Sequence, residues 1–200
     1  MSGRGKDGIM PDNHCMIDIE TMGTGADAAI ITIGACMFDP RGHDNEESLR
    51  DKGKLFGPID FGSNEKAGRS FDADTIKWWL QQSEDAQRGL IEGSTVSLSA
   101  ALTQFVQWVN SYKPAATAIW AKDPDFDCVI MKHACAQHNK IWPWKFWESK
   151  AVRTALDLAY PPGGLKGDFP TIGVGVAHNA VDDAIRQCLM IQHVYHVLDA

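Results

Sequence analysis

Residues 15–20 read CMIDIE. Cys15–Ile19 is apolar apart from Asp18, and that pattern predicts a short β-strand. Side chains on a strand alternate sides, so Asp18 and Glu20 share one side while Ile17 and Ile19 take the opposite, buried one. The strand therefore carries two acids side by side near its C-terminal end. Carboxylates that close repel unless a cation or a shared proton stands between them. A lone D-x-E is also what a strand end reaching solvent looks like, and taken singly it is more often that.

Outward from this strand, Ile30–Phe38 predicts a second, closed by the turn-like Asp39-Pro40-Arg41-Gly42, so the two strands suggest a hairpin. The stretch 41–70 is polar and glycine-rich, with one further strand expected at Lys54–Pro58. Asp74–Gln82 predicts a helix, and Gly89 and Gly93 punctuate the residues after it. Leu98, Leu102, Phe105, Val106 and Val109 recur with a helical period over Leu98–Asn110. Ala115–Trp120 predicts a buried strand. Asp123-Pro124 then has the form of an N-cap with proline at the first helical position. A short helix is expected over Arg153–Tyr160, ended by Pro161-Pro162-Gly163-Gly164, and a long one from Asn179 almost to the end. Strands first, then helices mixed with single strands, predict an α/β domain: a mixed sheet with helices packed on its faces.

The bulk properties narrow the classes. Hydrophobic residues make up 44% of the 200, enough for a real core, so disorder is not the default. No apolar run approaches the ~20 residues of a membrane helix. Residues 1–14 are polar and glycine-rich, and are expected to be a flexible tail ahead of a single domain over 15–200. Five widely spaced cysteines, with no C-x-x-C, suit reduced thiols in a cytoplasm better than a disulfide framework. Cys128, His133, Cys135 and His138 fit no common zinc spacing. A net charge of −7 argues against a large basic surface for long duplex nucleic acid. It leaves room for an enzyme that grips only a strand end through bound cations.

Two more acidic segments join the first. Asp127 follows the strand expected at 115–120 and lies in the first turn of the expected helix, above the carboxyl ends of the sheet where open α/β folds place ligands. An acid in a first turn is also simply favoured by the helix dipole, and Asp123 and Asp125 are expected to do no more than that. In His178-Asn179-Ala180-Val181-Asp182-Asp183, Asn179 and Asp182 resemble a capping box, which gives Asp182 a structural task and leaves Asp183 free. Helical geometry does not by itself choose between the two acids. His178 precedes the helix on a loop containing Gly173 and Gly175.

D-x-E on the first strand, F-D at a strand-to-helix junction and H-x-x-x-x-D opening the last helix, in that order, resemble the DEDD superfamily of 3′–5′ exonucleases in its histidine-containing branch. More narrowly, MIDIETMGTGADAAIITIGACMFDP, IKWWLQQS, AIWAKDPDFDCVIM, VRTALDLA and HNAVDDAIRQ are similar to the 3′–5′ exoribonuclease-like family of bacteria, phages and prophages. The resemblance spans roughly Met16 to Gln187. It implies a ribonuclease-H-like fold, with a five-stranded mixed sheet and helices on both sides. It implies that Asp18, Glu20, Asp127 and Asp183 bind two divalent ions, Mg²⁺ or Mn²⁺, and that His178 is the general base. It also implies single-stranded RNA or DNA 3′ ends as substrate, a bacterial or phage-infected cytoplasm, and a homodimer, since relatives are often dimers. Relatives carry an asparagine a few residues before the F-D pair. Here Lys122 stands near that place, and it has no acceptor to offer but suits a phosphate.

The residue types fit the chemistry. Two ions ~4 Å apart activate a water and neutralise the leaving 3′ oxygen. Hard ions take carboxylate oxygens, and four acids balance two divalent charges. A histidine titrates near ~6.5 and suits proton removal. The resemblance places Met22 and Gly23 at the pocket wall for the terminal nucleotide, and Trp79, Lys122 and Phe126 are further substrate candidates. Of Trp78-Trp79, one ring is expected to pack inward. Trp142, Trp144, Phe146 and Trp147 form a second cluster, for which core packing is the more common role and base stacking the alternative. Arg153 has either a phosphate or a surplus acid as partner. Two non-enzymatic readings compete: an end-binding module whose site Lys122 weakens, and a structural metal-binding protein.

Overall fold

A computed structural model of the chain describes residues 13–161 and 169–200. The strands are β1 (His14–Thr21), β2 (Ile30–Phe38), β3 (Gly53–Phe56), β4 (Ala118–Ala121) and β5 (Ser149–Ala151). The helices are α1 (Glu46–Arg50), α2 (Phe61–Lys66), α3 (Ala73–Trp79), α4 (Glu84–Gly89), α5 (Leu98–Ser111), α6 (Asp127–Gln137), α7 (Val152–Ala159) and α8 (Ala180–Leu198). A single 3₁₀ turn, Phe146–Glu148, leads into β5.

The five strands form one sheet in the order β3-β2-β1-β4-β5. β1 pairs antiparallel with β2, and β2 with β3, so the expected hairpin is present. β1 runs parallel to β4, and β4 to β5. The sheet is therefore mixed, with helices on both faces. Alternation along β1 and β2 divides the core in two. Cys15, Ile17, Ile19, Ile33 and Ala35 pack against Leu102 and Phe105 of α5 and Ile130 and Ala134 of α6. Met16, Cys36 and Phe38 face Ala184, Ile185, Cys188 and Ile191 of α8 and Val152 of α7. All five cysteines are buried and free, so none offers a thiol to solvent.

Several boundaries differ from expectation. β1 begins at His14, one residue early, because His14 already pairs with Phe38 and Ala118. α1, α2 and α4 were not anticipated; at five or six residues they are too short to show a period. β5 escaped for the same reason. Asp123 is not a side-chain cap. Its carbonyl accepts the N–H of Phe126 and Asp127 in a turn, and α6 starts at Asp127 with no side-chain cap. The expected tail lies outside the described residues up to position 12, as do Pro162, Gly163 and Gly164. No helix among the described residues is long and apolar enough to cross a membrane.

Candidate active site

Every predicted catalytic side chain lines one cavity of about 320 Å³: Asp18, Glu20, Asp127, His178 and Asp183. It opens at the carboxyl ends of β1, β4 and β5. β1 supplies Asp18 and Glu20 on the face that α8 covers, so these acids do not simply reach solvent. The β1–β2 register shifts between Glu20 and Thr21, which bends the strand beside Glu20. β1 pairs with β4 only as far as Met16 with Trp120. Beyond that, the carboxylate of Asp127 accepts the Ile19 N–H at 3.2 Å. A backbone donor on the first strand thereby fixes an acid 108 residues away.

α8 brings the other half. Its first turn lies on β2 at Gly34, which pairs with Asp18 across the hairpin. Asn179 caps the helix through the Asp182 N–H at 3.3 Å. The Asp182 carboxylate turns away from the cavity, accepting from Val176 N–H and from Arg50 Nη1, both at 2.8 Å. Gly175, at φ +44°, leaves room for that carboxylate, which a Cβ would meet at 2.0 Å. Asp183 faces the cavity instead, and it is not free as expected. It accepts the His178 N–H at 3.0 Å and pairs with Arg186. His178 adopts φ +63°, a left-handed conformation that histidine tolerates better than most side chains. Its ring stands edge-on to Trp78, with centroids 4.9 Å apart, and to Trp79, 5.9 Å away.

The electrostatics of the cluster are those of carboxyl groups held close together and out of water. Burial, then the Asp127 and Asp183 charges, push the Asp18 carboxyl well above the usual range. Burial, then Asp18, Asp183 and Asp127, raise Glu20 to about 10. Burial raises Asp127 to about 7 against the Ile19 hydrogen bond that lowers it. Ligand atoms of Glu20, His178 and Asp183 lie within 4.8 Å of one another, the spacing of groups around a single ion. A buried, partly self-repelling set of oxygen donors suits a hard divalent cation.

Two neighbours were not singled out in the sequence. Gln187 donates from Nε2 to Asp18 Oδ1 at 2.8 Å, and Arg186 pairs with Asp183 while donating to the Val174 carbonyl at 3.0 Å. They sit three and four residues beyond Asp183, the offsets that share a helix face, so that spacing was the available signal. Lys122 lines the cavity, and its charge opposes the rise at the Asp18 carboxyl without overcoming it. Arg153 also lines it, and pairs with Asp123 at 2.7 Å.

A second, open cavity of about 630 Å³ shares Ile19, Glu20 and Phe126 with the first. Thr21, Gly23, Thr24, Asp72, Asp74, Thr75, Trp78 and Trp79 complete its wall. Phe126 and Gly23 line it. Met22 does not line the wall; it is buried behind it in a cluster with Trp79 and Ile31. Of the tryptophan pair, Trp79 is the inward ring, its Nε1 donating to the Thr21 carbonyl at 2.9 Å. Trp78 is the ring on offer, at 40% exposure. His133 contacts Arg69, and no cysteine–histidine metal cluster exists among the described residues.

Comparison with known proteins gives the family and the fold. Residues 13–195 match the model of the 3′–5′ exoribonuclease Rv2179c-like domain. An exodeoxyribonuclease of Enterobacteria phage T4 is 26% identical, with 89% of this chain and 87% of that protein covered. The E. coli ExoI–ssDNA complex in its zinc-bound form superposes with TM-score 0.63 at 13% identity, covering 95% of this chain and 42% of that one. The chain thus spans less than half of that exonuclease. The nuclease domain of 3′hExo, a DEDDh family member bound to rAMP, gives TM-score 0.52 at 13% identity, over 96% and 94%. These neighbours carry the ribonuclease-H-like fold of the DEDD exonucleases, which this sheet order shares. The chain belongs to the Rv2179c-like family of 3′–5′ exoribonuclease domains, and it is a 3′–5′ exonuclease.

Proposed function

We propose that the protein hydrolyses single-stranded RNA or DNA from the 3′ end, with two divalent ions held by Asp18, Glu20, Asp127 and Asp183 and with His178 as general base. The convergence of four acids and one histidine on a single cavity, beside a nucleoside-sized one, carries this reading. The ions, when bound, would supply charge neutralisation at the scissile phosphate and a more acidic attacking water. The chain does the rest. Trp78 and Phe126 offer ring faces and edges to the terminal base, and Thr21, Thr24 and Thr75 offer hydroxyl groups to its sugar. Lys122 and Arg153 face the phosphates from the cavity rim. His178, held by Asp183 through its backbone and by two indole edges through its ring, accepts the proton of the attacking water. The ssDNA of the ExoI complex and the rAMP of 3′hExo support a strand end as ligand.

A gel assay tests the reading. The protein is given 5′-labelled single strands of RNA and of DNA, with Mn²⁺ and with chelator. A ladder shortening from the 3′ end only with metal is expected, and the faster strand names the sugar. Intact strands in every lane, with oligonucleotide binding retained, would instead favour the end-binding module. Trp78→Ala is expected to raise KM about 5-fold or more, as loss of one stacking ring implies, and to lower kcat as well, because the same ring holds His178. A change confined to kcat would remove Trp78 from the substrate pocket.

Melting curves test the acid cluster. Glu20 and Asp127 keep their protons in the folded protein above the pH near ~4 at which they ionise in the unfolded chain. The stability this gives is full below that pH. It is lost as pH rises through about 7 for Asp127 and toward about 10 for Glu20. The melting temperature in chelator is therefore expected to fall between pH 5 and pH 9. Saturating Mn²⁺ favours the ionised acids and should flatten or reverse that slope. Identical slopes with and without Mn²⁺ would count against a metal in this cavity. The spacing of His178 from Glu20 and Asp183 also allows it to ligate. His178→Ala keeps Mn²⁺ affinity if the imidazole is the base, and loses it if the imidazole is a ligand.

A further inference from the structure

The aromatic cluster at 142–147 divides in the folded protein. Trp142 and Trp144 pack against Phe105 in the core, which accounts for them. Phe146 and Trp147 stay outside it: they are 78% and 62% exposed, with ring centroids 4.8 Å apart in an edge contact. Ile141, nearby in sequence, is 85% exposed. Core packing leaves these side chains unexplained.

Their surroundings are basic in an acidic protein. Lys140, Lys145 and Lys150 stand in the 139–150 stretch against one acid, Glu148, while the whole chain carries −7. The Glu148 carboxylate is occupied by the Lys145 backbone N–H at 2.7 Å. Lys145 Nζ lies 5.1 Å from the Trp147 ring centroid, and Lys150 Nζ 5.8 Å from that of Trp120. None of the three lysines joins an ion pair among the described residues. Interleaved aromatic faces and unpaired cations are what a single strand meets on proteins that bind it without sequence preference.

One short strand joins this surface to the rim of the acid cavity. Among the described residues β5 is an edge strand with β4 as its sole neighbour in the sheet, and it runs parallel to β4. It starts just after Glu148 and ends at Ala151, two residues before Arg153 on the cavity rim. The six residue steps from Trp147 to Arg153 span at most roughly 20 Å, within reach of a strand of several nucleotides. We propose that Lys145, Phe146, Trp147 and Lys150 dock the upstream part of a single nucleic-acid strand whose 3′ end lies in the acid cavity. The proposal rests on the exonuclease reading for the position of that 3′ end.

Fluorescence anisotropy in chelator, where no strand is cut, tests it with 5′-labelled single strands of about 4 and about 14 nucleotides. The parent is expected to bind the longer strand more tightly. A Phe146→Ala/Trp147→Ala protein should lose roughly tenfold or more of that affinity while binding the shorter strand as the parent does. A Lys145→Glu/Lys150→Glu protein should show a shallower salt dependence for the longer strand alone, by about one unit of slope per lost phosphate contact. All four side chains being at the surface, melting in chelator is expected to match the parent. Equal affinity of parent and variants for the longer strand overturns the proposal, as does an equal loss for both lengths. A parent dimer that the aromatic variant dissolves, with strand affinity unchanged, assigns the surface to a second copy and also overturns it. Failure of the parent to cut either strand, with the length-dependent loss present, would sink the exonuclease reading and leave the surface standing.

Discussion

Asp18→Asn is expected to melt higher than the parent in chelator and yet to lose turnover by roughly 10³-fold or more, since each tenfold is 1.36 kcal/mol and metal neutralisation supplies several. The two effects have opposite signs for one reason. Asp18 is buried beside Asp127 and Asp183, which hold its proton on far above the usual range. An amide of the same shape keeps an oxygen for Gln187 Nε2, now 2.8 Å from Asp18 Oδ1, and removes the charge that its neighbours resist. The chelated protein should gain roughly 2–4 °C per kcal/mol so relieved, most clearly at alkaline pH. The same amide cannot neutralise a cation, so Mn²⁺ should no longer raise the melting temperature. A merely misfolded variant would melt lower, which separates the readings. Retained turnover with Mn²⁺ would remove Asp18 from the catalytic set.

Gly34→Ala should be nearly as damaging, from a position that bears no chemistry. A Cβ at Gly34 would stand 2.1 Å from the carbonyl carbon and oxygen of Ala180 and 2.4 Å from Val181 N. These are backbone atoms in the first turn of α8, so no side chain can swing aside and the helix itself must lift. Overpacking of this kind costs typically ~1–3 kcal/mol, and a helix backbone yields less than a side chain. Lifting the turn carries His178 and Asp183 away from Asp18, and a displacement of ~1 Å at reacting groups costs about 10²-fold in rate. We expect a lower melting temperature, a large fall in turnover and weakened Mn²⁺ affinity together. Gly89→Ala is the control, because a Cβ there meets nothing within 4 Å. A Gly34→Ala protein with the parent's turnover would show that α8 need not touch β2 to build the site.

Much of the fold was legible because its long elements repeat. β2 has the bounds its apolar run predicts, and α5 extends one residue past its periodic stretch. The elements that escaped are short or set by distant partners. β5 has three residues and forms only because Ile119, Trp120 and Ala121 offer a parallel edge. Asp123 has the sequence form of a cap, but Arg153, thirty positions later, takes its carboxylate. Trp78 and Trp79 are indistinguishable by composition, and the Thr21 carbonyl decides which ring turns in.

The sequence by itself determined which acids share a side of β1 and that a histidine precedes the last helix. Alternation and periodicity act within an element, and a reader needs nothing else to apply them. Only the tertiary structure decided between Asp182 and Asp183. Arg50 and the Val176 N–H hold the first of them away, and the gap at Gly34 lets the second approach Asp18. It alone showed Arg186 and Gln187 joined to the acids, and Phe146 and Trp147 left outside the core that holds Trp142 and Trp144. The physical reason is the same in each case. Local patterns fix the directions of side chains from their own backbone, whereas proximity between elements depends on how closely two surfaces pack, and here one missing Cβ sets that distance.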